Sequence, residues 1–133
     1  MTALPFLDSN ILIYAYGDDP RKQLAQSLCG SPHMIGIQTL NEFASVARRK
    51  LQYDWDHIRL CLQSVQELAE RIVPLTFEVH DRGLALAERH NLQIYDGMVI
   101  AAALEAGCKT LYSEDMQDGM VVDSRLTIRN PFA

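Results

Sequence analysis

Short apolar runs alternate along this chain with longer segments of helical periodicity, and that alternation limits the fold more than any other feature. Pro5–Leu7, Met34–Ile37, Ile72–Leu75 and Thr110–Tyr112 are too short for buried helices and read as buried strands. Leu126–Ile128 reads as a further one. Strands separated by helices return to the sheet in the same direction, so the pattern predicts an α/β fold with a largely parallel sheet.

The intervening helices are legible from their stripes and punctuation. Ser9 starts a short helix that continues through Ile13 to Tyr16, and Gly17-Asp18-Asp19-Pro20 is a turn. Asp19 as cap and Pro20 as first residue open a helix with Leu24, Ala25, Leu28 and Cys29 on one face, ended by Gly30. Further helices are expected over Thr39–Leu51, Trp55–Arg71 and from Thr76 to His90. Met98 to Ala106 is apolar nearly all round, which predicts a central helix, and Gly107 stops it. There is no internal repeat, low-complexity segment or linker, and the expectation is one domain over residues 1–133.

Composition narrows the class. The chain is 48% apolar and 22% charged, as in ordinary globular proteins. Cys29, Cys61 and Cys108 are odd in number and widely spaced, which speaks against a disulfide framework or a structural zinc site. The longest apolar run, Met98 to Leu104, is far short of a membrane span, and the N-terminus lacks signal-peptide features. A cytoplasmic protein without membrane attachment is expected. A formal charge of −5 argues against broad non-specific nucleic-acid affinity, yet it is compatible with a nucleic-acid enzyme whose acids are masked by metal.

Acidic residues recur at one kind of junction. Asp8 ends the first strand, Glu42 lies in the first turn of the helix after the second, Asp96 opens the apolar helix, and Asp115 follows the fourth strand. In a parallel sheet all strand C-termini face one rim, where ligands bind. Carboxylates gathered there repel one another unless a cation joins them, and an all-oxygen donor set suits Mg²⁺ or Mn²⁺. Such a metal activates water and stabilises the charge developing on a phosphodiester. Each acid also has a simpler reading. Thr39-Leu40-Asn41-Glu42 matches a capping box. Asp96 and Asp8 fit helix caps, and Ser113 to Asp118 fits a solvated turn. The joint arrangement, and no single residue, carries the metal reading.

The same segments resemble PIN-domain proteins. Leu7-Asp8-Ser9-Asn10-Ile11-Leu12-Ile13-Tyr14 is similar to the family's opening motif, and Gln38-Thr39-Leu40-Asn41-Glu42-Phe43 to its second. Ile94-Tyr95-Asp96-Gly97-Met98-Val99-Ile100-Ala101-Ala102-Ala103 resembles the third and Leu111-Tyr112-Ser113-Glu114-Asp115-Met116 the fourth. Leu126-Thr127-Ile128-Arg129-Asn130-Pro131-Phe132 looks like the end of one bacterial branch. The length is like that of VapC-type toxins of bacterial toxin–antitoxin pairs.

The resemblance implies a three-layer α/β/α sandwich around a mostly parallel sheet, and Mg²⁺- or Mn²⁺-dependent cleavage of RNA. By motif, Asp8, Glu42, Asp96 and Asp115 would form the acidic centre, with Asp8 and Asp96 as direct metal ligands. Glu42 would hold metal or orient its water, and Asp115 would bind a second metal or act through water. Asn10 and Ser113 would support the carboxylates, with Glu114 and Asp118 as substitutes under a different loop register. Such proteins form homodimers and are inhibited by a cognate antitoxin, which often inserts a basic side chain into the acidic pocket.

Other features rank lower. Arg48-Arg49-Lys50 would contact RNA phosphates or complement a helix C-terminus, the latter being favoured. Arg82 and Arg89 are weaker RNA candidates, and Tyr53 and Trp55 fit packing better than base stacking. His33, His57, His80 and His90 lack metal-ligand spacing. Two competing functions remain: a non-catalytic RNA- or protein-binding module on the same fold, and a receiver-like phosphoacceptor. The second fits poorly, because Asp18-Asp19 precede a helix and end no strand.

Overall fold

The computed structural model describes residues 3–133. Six strands, β1 (Phe6–Leu7), β2 (Met34–Gly36), β3 (Arg71–Val73), β4 (Thr110–Tyr112), β5 (Val121–Val122) and β6 (Leu126–Arg129), form one sheet in the order β3-β2-β1-β4-β6-β5. All pairings are parallel except β5 with β6. Six helices cover it: α1 (Ser9–Tyr16), α2 (Lys22–Gly30), α3 (Ile37–Arg49), α4 (Trp55–Leu68), α5 (Phe77–His90) and α6 (Ile94–Glu105). No described helix is long and apolar enough to cross a membrane.

The strand period of two sorts the core into two layers. Phe6, Val73, Leu111 and Ile128 point to one face, where α5 and α6 cover them. Leu7 and Ile35 point to the other, against Ile11 and Leu12 of α1, Phe43 and Ala47 of α3, and Ile58 and Val65 of α4. The expected α/β/α sandwich is therefore present. Every residue of α6 from Gly97 to Leu104 is buried, as its apolar circumference predicted. The three cysteines are free and buried within these layers.

Several boundaries differ from the sequence expectation. The second strand ends at Gly36, and α3 starts at Ile37. Thr39 is then the third helical residue: its Oγ1 accepts the Gly36 N–H at 3.3 Å. With Gly36 at the N-cap only this half of a capping box forms, so Glu42 takes no part in it and sits a turn further along. The second helix starts at Lys22; Asp19 instead accepts the Arg21 N–H at 2.8 Å, closing a turn around Pro20. The fourth helix stops at Leu68, and α6 begins at Ile94, placing Asp96 inside its first turn. Strand β5 was not foreseen. Its hairpin turn uses Asp123 and Ser124, both left-handed at φ 52° and 55°, without the Asn-Gly or Gly signal of such turns.

The α5–α6 contact has almost no clearance. A Cβ on Gly97 would land on the Gly83 carbonyl oxygen, and one on Gly83 would lie 2.6 Å from the Met98 sulfur. Backbone is met at Gly97, so nothing flexible can yield. Gly97→Ala is expected to destabilise the protein by about 1–3 kcal/mol or more, measured by urea unfolding. Unchanged stability would refute this close packing.

Candidate active site

The sheet order reverses direction at β1: β2 and β3 lie on one side, β4 and β6 on the other. In open parallel sheets the crevice beyond the strand C-termini at such a switch point collects ligands. Asp8 stands there. Its N–H donates to the Tyr112 carbonyl at 3.0 Å, extending the β1–β4 ladder by one residue. Its side chain then turns to α1 as the N-cap, with Oδ1 accepting the Ser9 N–H at 2.7 Å. The cap reading and the site reading of Asp8 are thus compatible, because the second oxygen faces elsewhere. Oδ2 accepts from the Ser113 hydroxyl at 2.8 Å, just past β4.

Asn10 fastens the loop after β4 to α1. Its Nδ2 donates to Asp115 Oδ2 at 3.1 Å and approaches Ser113 Oγ at 3.4 Å, while its Oδ1 accepts the Glu114 N–H at 3.3 Å. Ser113 Oγ also accepts the Asp115 N–H at 3.3 Å. Asp8, Asn10 and Ser113 are all buried. A buried polar network of this kind is stable only when its members are satisfied, and it holds the loop in one register.

That register separates the acids after β4. Asp115 turns to Asn10, whereas Glu114 pairs with Arg21 at 2.6 Å, and Arg21 also binds Asp19 at 2.8 Å and covers the Tyr14 ring at 4.0 Å. Asp118 Oδ1 accepts the Asn130 N–H at 3.0 Å and closes the C-terminal segment.

Glu42 and Asp96 reach the same region from α3 and α6. Glu42 lines one cleft with Asn10 and Asp115 and another with Asp96 and Asp115, of about 320 and 500 Å³. Its Oε1 is buried without a hydrogen-bond partner. Burial, opposed by its hydrogen bonds and reinforced by the negative charges of Asp96 and Asp115, raises the Asp8 carboxyl to about 6. Burial and the field of Asp8 and Asp96 raise Glu42 to about 7. Burial and Asp115 raise Asp96 above the usual carboxylate range. These acids sense one another as like charges.

The donor set fits a hard divalent cation: it is all oxygen, crowded with negative charge, and includes a buried carboxylate oxygen lacking a partner. Asp8, Glu42, Asp96 and Asp115 are the residues that would hold it. Among the described residues, no three Asp, Glu, His or Cys side chains already form a ready coordination cage.

The candidate cations divide. Arg48 bonds the Tyr53 carbonyl at 3.1 Å and covers the Trp55 ring, and Arg49 bonds Ser45 at 3.2 Å, so both finish the end of α3. Arg82 and Arg89 pair with Asp123 in the β5–β6 turn, at 3.4 and 2.9 Å. Lys50 instead lines the cleft with Asn10, Tyr14, Glu42 and Asp115. Sequence reasoning did not single out Arg21, Tyr14 or Tyr95 for this region. Arg21 had no visible signal for this region, because Glu114, the partner that brings it to the site, lies 93 residues away. A larger cavity of about 620 Å³, lined by Leu4, Pro32, Glu70 and Lys109, lies at the opposite ends of the strands and holds a single carboxylate with a lysine beside it in the lining.

The PIN domain family model matches residues 6–117, a span containing β1 through β4 and all four acids. The chain belongs to the PIN domain family. Similar folds include Mycobacterium tuberculosis VapC20, described as a Sarcin-Ricin loop cleaving toxin, at 17% identity and TM-score 0.67, covering 84% of this chain and 89% of that one. A toxin–antitoxin complex from Klebsiella pneumoniae matches at 16% identity and TM-score 0.72, covering 96% and 97%. VapBC2 from Rickettsia felis, bound to a DNA fragment from its promoter, matches at 18% identity and TM-score 0.66, covering 96% and 98%. No curated protein sequence matches the chain.

The raised Asp8 carboxyl has a consequence for stability. Its folded value of about 6 exceeds the ordinary 3.8, so the folded chain binds this proton more tightly than the unfolded one. Stability from this group is therefore present at low pH and is lost as pH rises from about 4 to about 6. At neutral pH the penalty is on the order of 3 kcal/mol at most. Metal-free protein is expected to melt at lower temperature as pH rises through this window, and Asp8→Asn to flatten that decline. Thermal unfolding in EDTA checks it; an equal slope in the variant would refute the assignment.

Proposed function

We propose that this single-domain PIN protein is a metal-dependent endoribonuclease and the toxin of a toxin–antitoxin pair. The observation that carries the reading is the network at the switch point in which buried Asp8, Ser113 and Asn10 hold the exposed Asp115, with Glu42 and Asp96 directed to the same crevice. A network that holds loop carboxylates in a charge-crowded cleft is costly for stability alone. It is understandable where a cation and a phosphodiester are the intended occupants.

In this mechanism Asp8 and Asp96 would hold Mg²⁺ or Mn²⁺ directly, with Glu42 and Asp115 completing the donor set. A divalent ion in such a site makes water nucleophilic near neutral pH and offsets charge on the phosphate. Ser113 donates to Asp8 Oδ2 and so keeps its carboxylate oriented. Asn10 steadies Asp115 through the same loop. Glu42 orients the attacking water with its unpartnered oxygen. Lys50, on the wall of the cleft, neutralises an RNA phosphate.

The partners follow from the same reading. They are RNA in the cytoplasm, a cognate antitoxin whose basic side chain answers the acidic cleft, and a second copy of the chain. Exposed apolar side chains such as Leu60 and Phe77 are available for protein contacts. Two of the similar folds are described as toxin–antitoxin assemblies, which supports the antitoxin.

Residues that merely support a metal ligand cost about 10–100-fold in activity when removed. Asp8→Asn and Asp96→Asn are expected to exceed that loss in Mg²⁺-dependent cleavage of total RNA while remaining folded by circular dichroism. Calorimetric titration with Mn²⁺ is expected to give saturable binding that Asp8→Asn abolishes. Full cleavage by the purified variants would overturn the reading. Lys50→Ala is expected to lower the slope of log affinity against log salt by about 0.7 for single-stranded RNA. An unchanged slope would remove Lys50 from the phosphate contact.

A further inference from the structure

Glu42 divides two unlike environments. On one side it shares a cleft with Lys50. On the other side Tyr95 takes the place of the cation. Tyr95 and Glu42 together line two adjoining clefts of about 500 and 290 Å³. Besides Asp96 and Asp115 of the acidic centre, the first cleft is walled by the amides of Asn91 and Gln93, and the second by those of Gln38 and Asn41 with Ser45. No lysine or arginine lines either one.

The Tyr95 ring is 61% exposed, although its neighbour Asp96 belongs to the acidic centre. Among the described residues, no aromatic ring packs on it. A tyrosine exposed to this degree on a helix that is otherwise buried from Gly97 to Leu104 contributes little to the core. It presents a flat π-face that any nucleobase can stack on. Side-chain amides carry both donors and acceptors, which is the chemistry that reads a base edge. A cation on one side of the acids and an aromatic flanked by amides on the other correspond to the two halves of a nucleotide.

We propose that Tyr95 is the stacking platform for a single-stranded base beside the scissile phosphate, and that Gln38, Asn41, Asn91 and Gln93 read that base's edge. The inference rests on the endoribonuclease reading and gives that site a selectivity device. Lys50 then tracks the backbone and Tyr95 the base, so the RNA crosses Glu42 in a defined direction.

The test uses the full chain with Ca²⁺ in place of Mg²⁺, so that the acids are neutralised while cleavage is suppressed. Fluorescein-labelled hexamers of adenylate, cytidylate and uridylate are titrated by anisotropy in Ca²⁺. Adding Tyr95→Ala is expected to weaken binding about tenfold, whereas Tyr95→Phe, which keeps the π-face, stays within about twofold of the parent. Asn41→Ala or Gln38→Ala is expected to alter the ranking of the three hexamers. Equal binding by the parent and Tyr95→Ala overturns the platform, as does an equal loss in Tyr95→Phe. Conversion of a dimer to a monomer by Tyr95→Ala, seen in sedimentation, also overturns it, by assigning the ring to a contact between copies. Failure of the platform alone would appear as wild-type cleavage that Tyr95→Ala leaves intact. Absence of any RNA binding or cleavage by the wild-type chain would overturn this inference and the endoribonuclease reading together.

Discussion

The hydrogen bond from Ser113 to Asp8 joins the ends of the two central strands, and most of the site is organised around it. It crosses 105 residues of sequence and lies where the strand order reverses. Asp8 uses one oxygen to cap α1 and the other to accept from Ser113. Asn10, the second residue of α1, takes hold of the same loop through Asp115 and Glu114. The helix start, the strand end and the loop register are therefore parts of one polar network. Loss of Ser113 leaves the buried Asp8 Oδ2 without its donor, a cost typically of about 1–3 kcal/mol.

The network works against charge. Asp8 and Glu42 are both lifted, to about 6 and about 7, chiefly because burial withholds water from their charged forms. The fold tolerates this because α5 and α6 pack backbone to backbone at Gly83 and Gly97, immediately after Asp96. That contact sets the position of the α6 N-terminus with little slack. Arg21, bound to Asp19 and Glu114, draws one neighbouring carboxylate away and leaves Asp115 facing the cleft. Rigid packing and selective ion pairing together decide which acids face the crevice.

Local sequence chemistry was informative where one neighbour decides the outcome. The helix from Thr76 to His90 was legible because Thr76 caps it through the Val79 N–H, and β4 matches its expected residues. The capping motif at Thr39–Glu42 was misleading, since Gly36 took the cap once β2 ended early. Strand β5 was missed because it is two residues long and pairs only at the sheet edge, through a turn of Asp123 and Ser124 lacking a glycine signal. The basic cluster after α3 was legible as charge but not as geometry. Arg48 and Arg49 are consumed by the helix end, and only Lys50 lines the cleft.

By itself, the sequence determined the layered α/β class, the buried character of α6 and the recurrence of acids after strands and at helix starts. These follow from periodicity and from the common direction of parallel strands, both readable without distances. Tertiary structure alone decided that Asn10 clamps Asp115, that Glu114 belongs to Arg21, and that Arg82 is engaged by Asp123. It also decided that Tyr95 stands beside Glu42. Each of these depends on contacts between segments far apart in the chain. Their register is set by core packing and strand order, which no local pattern encodes.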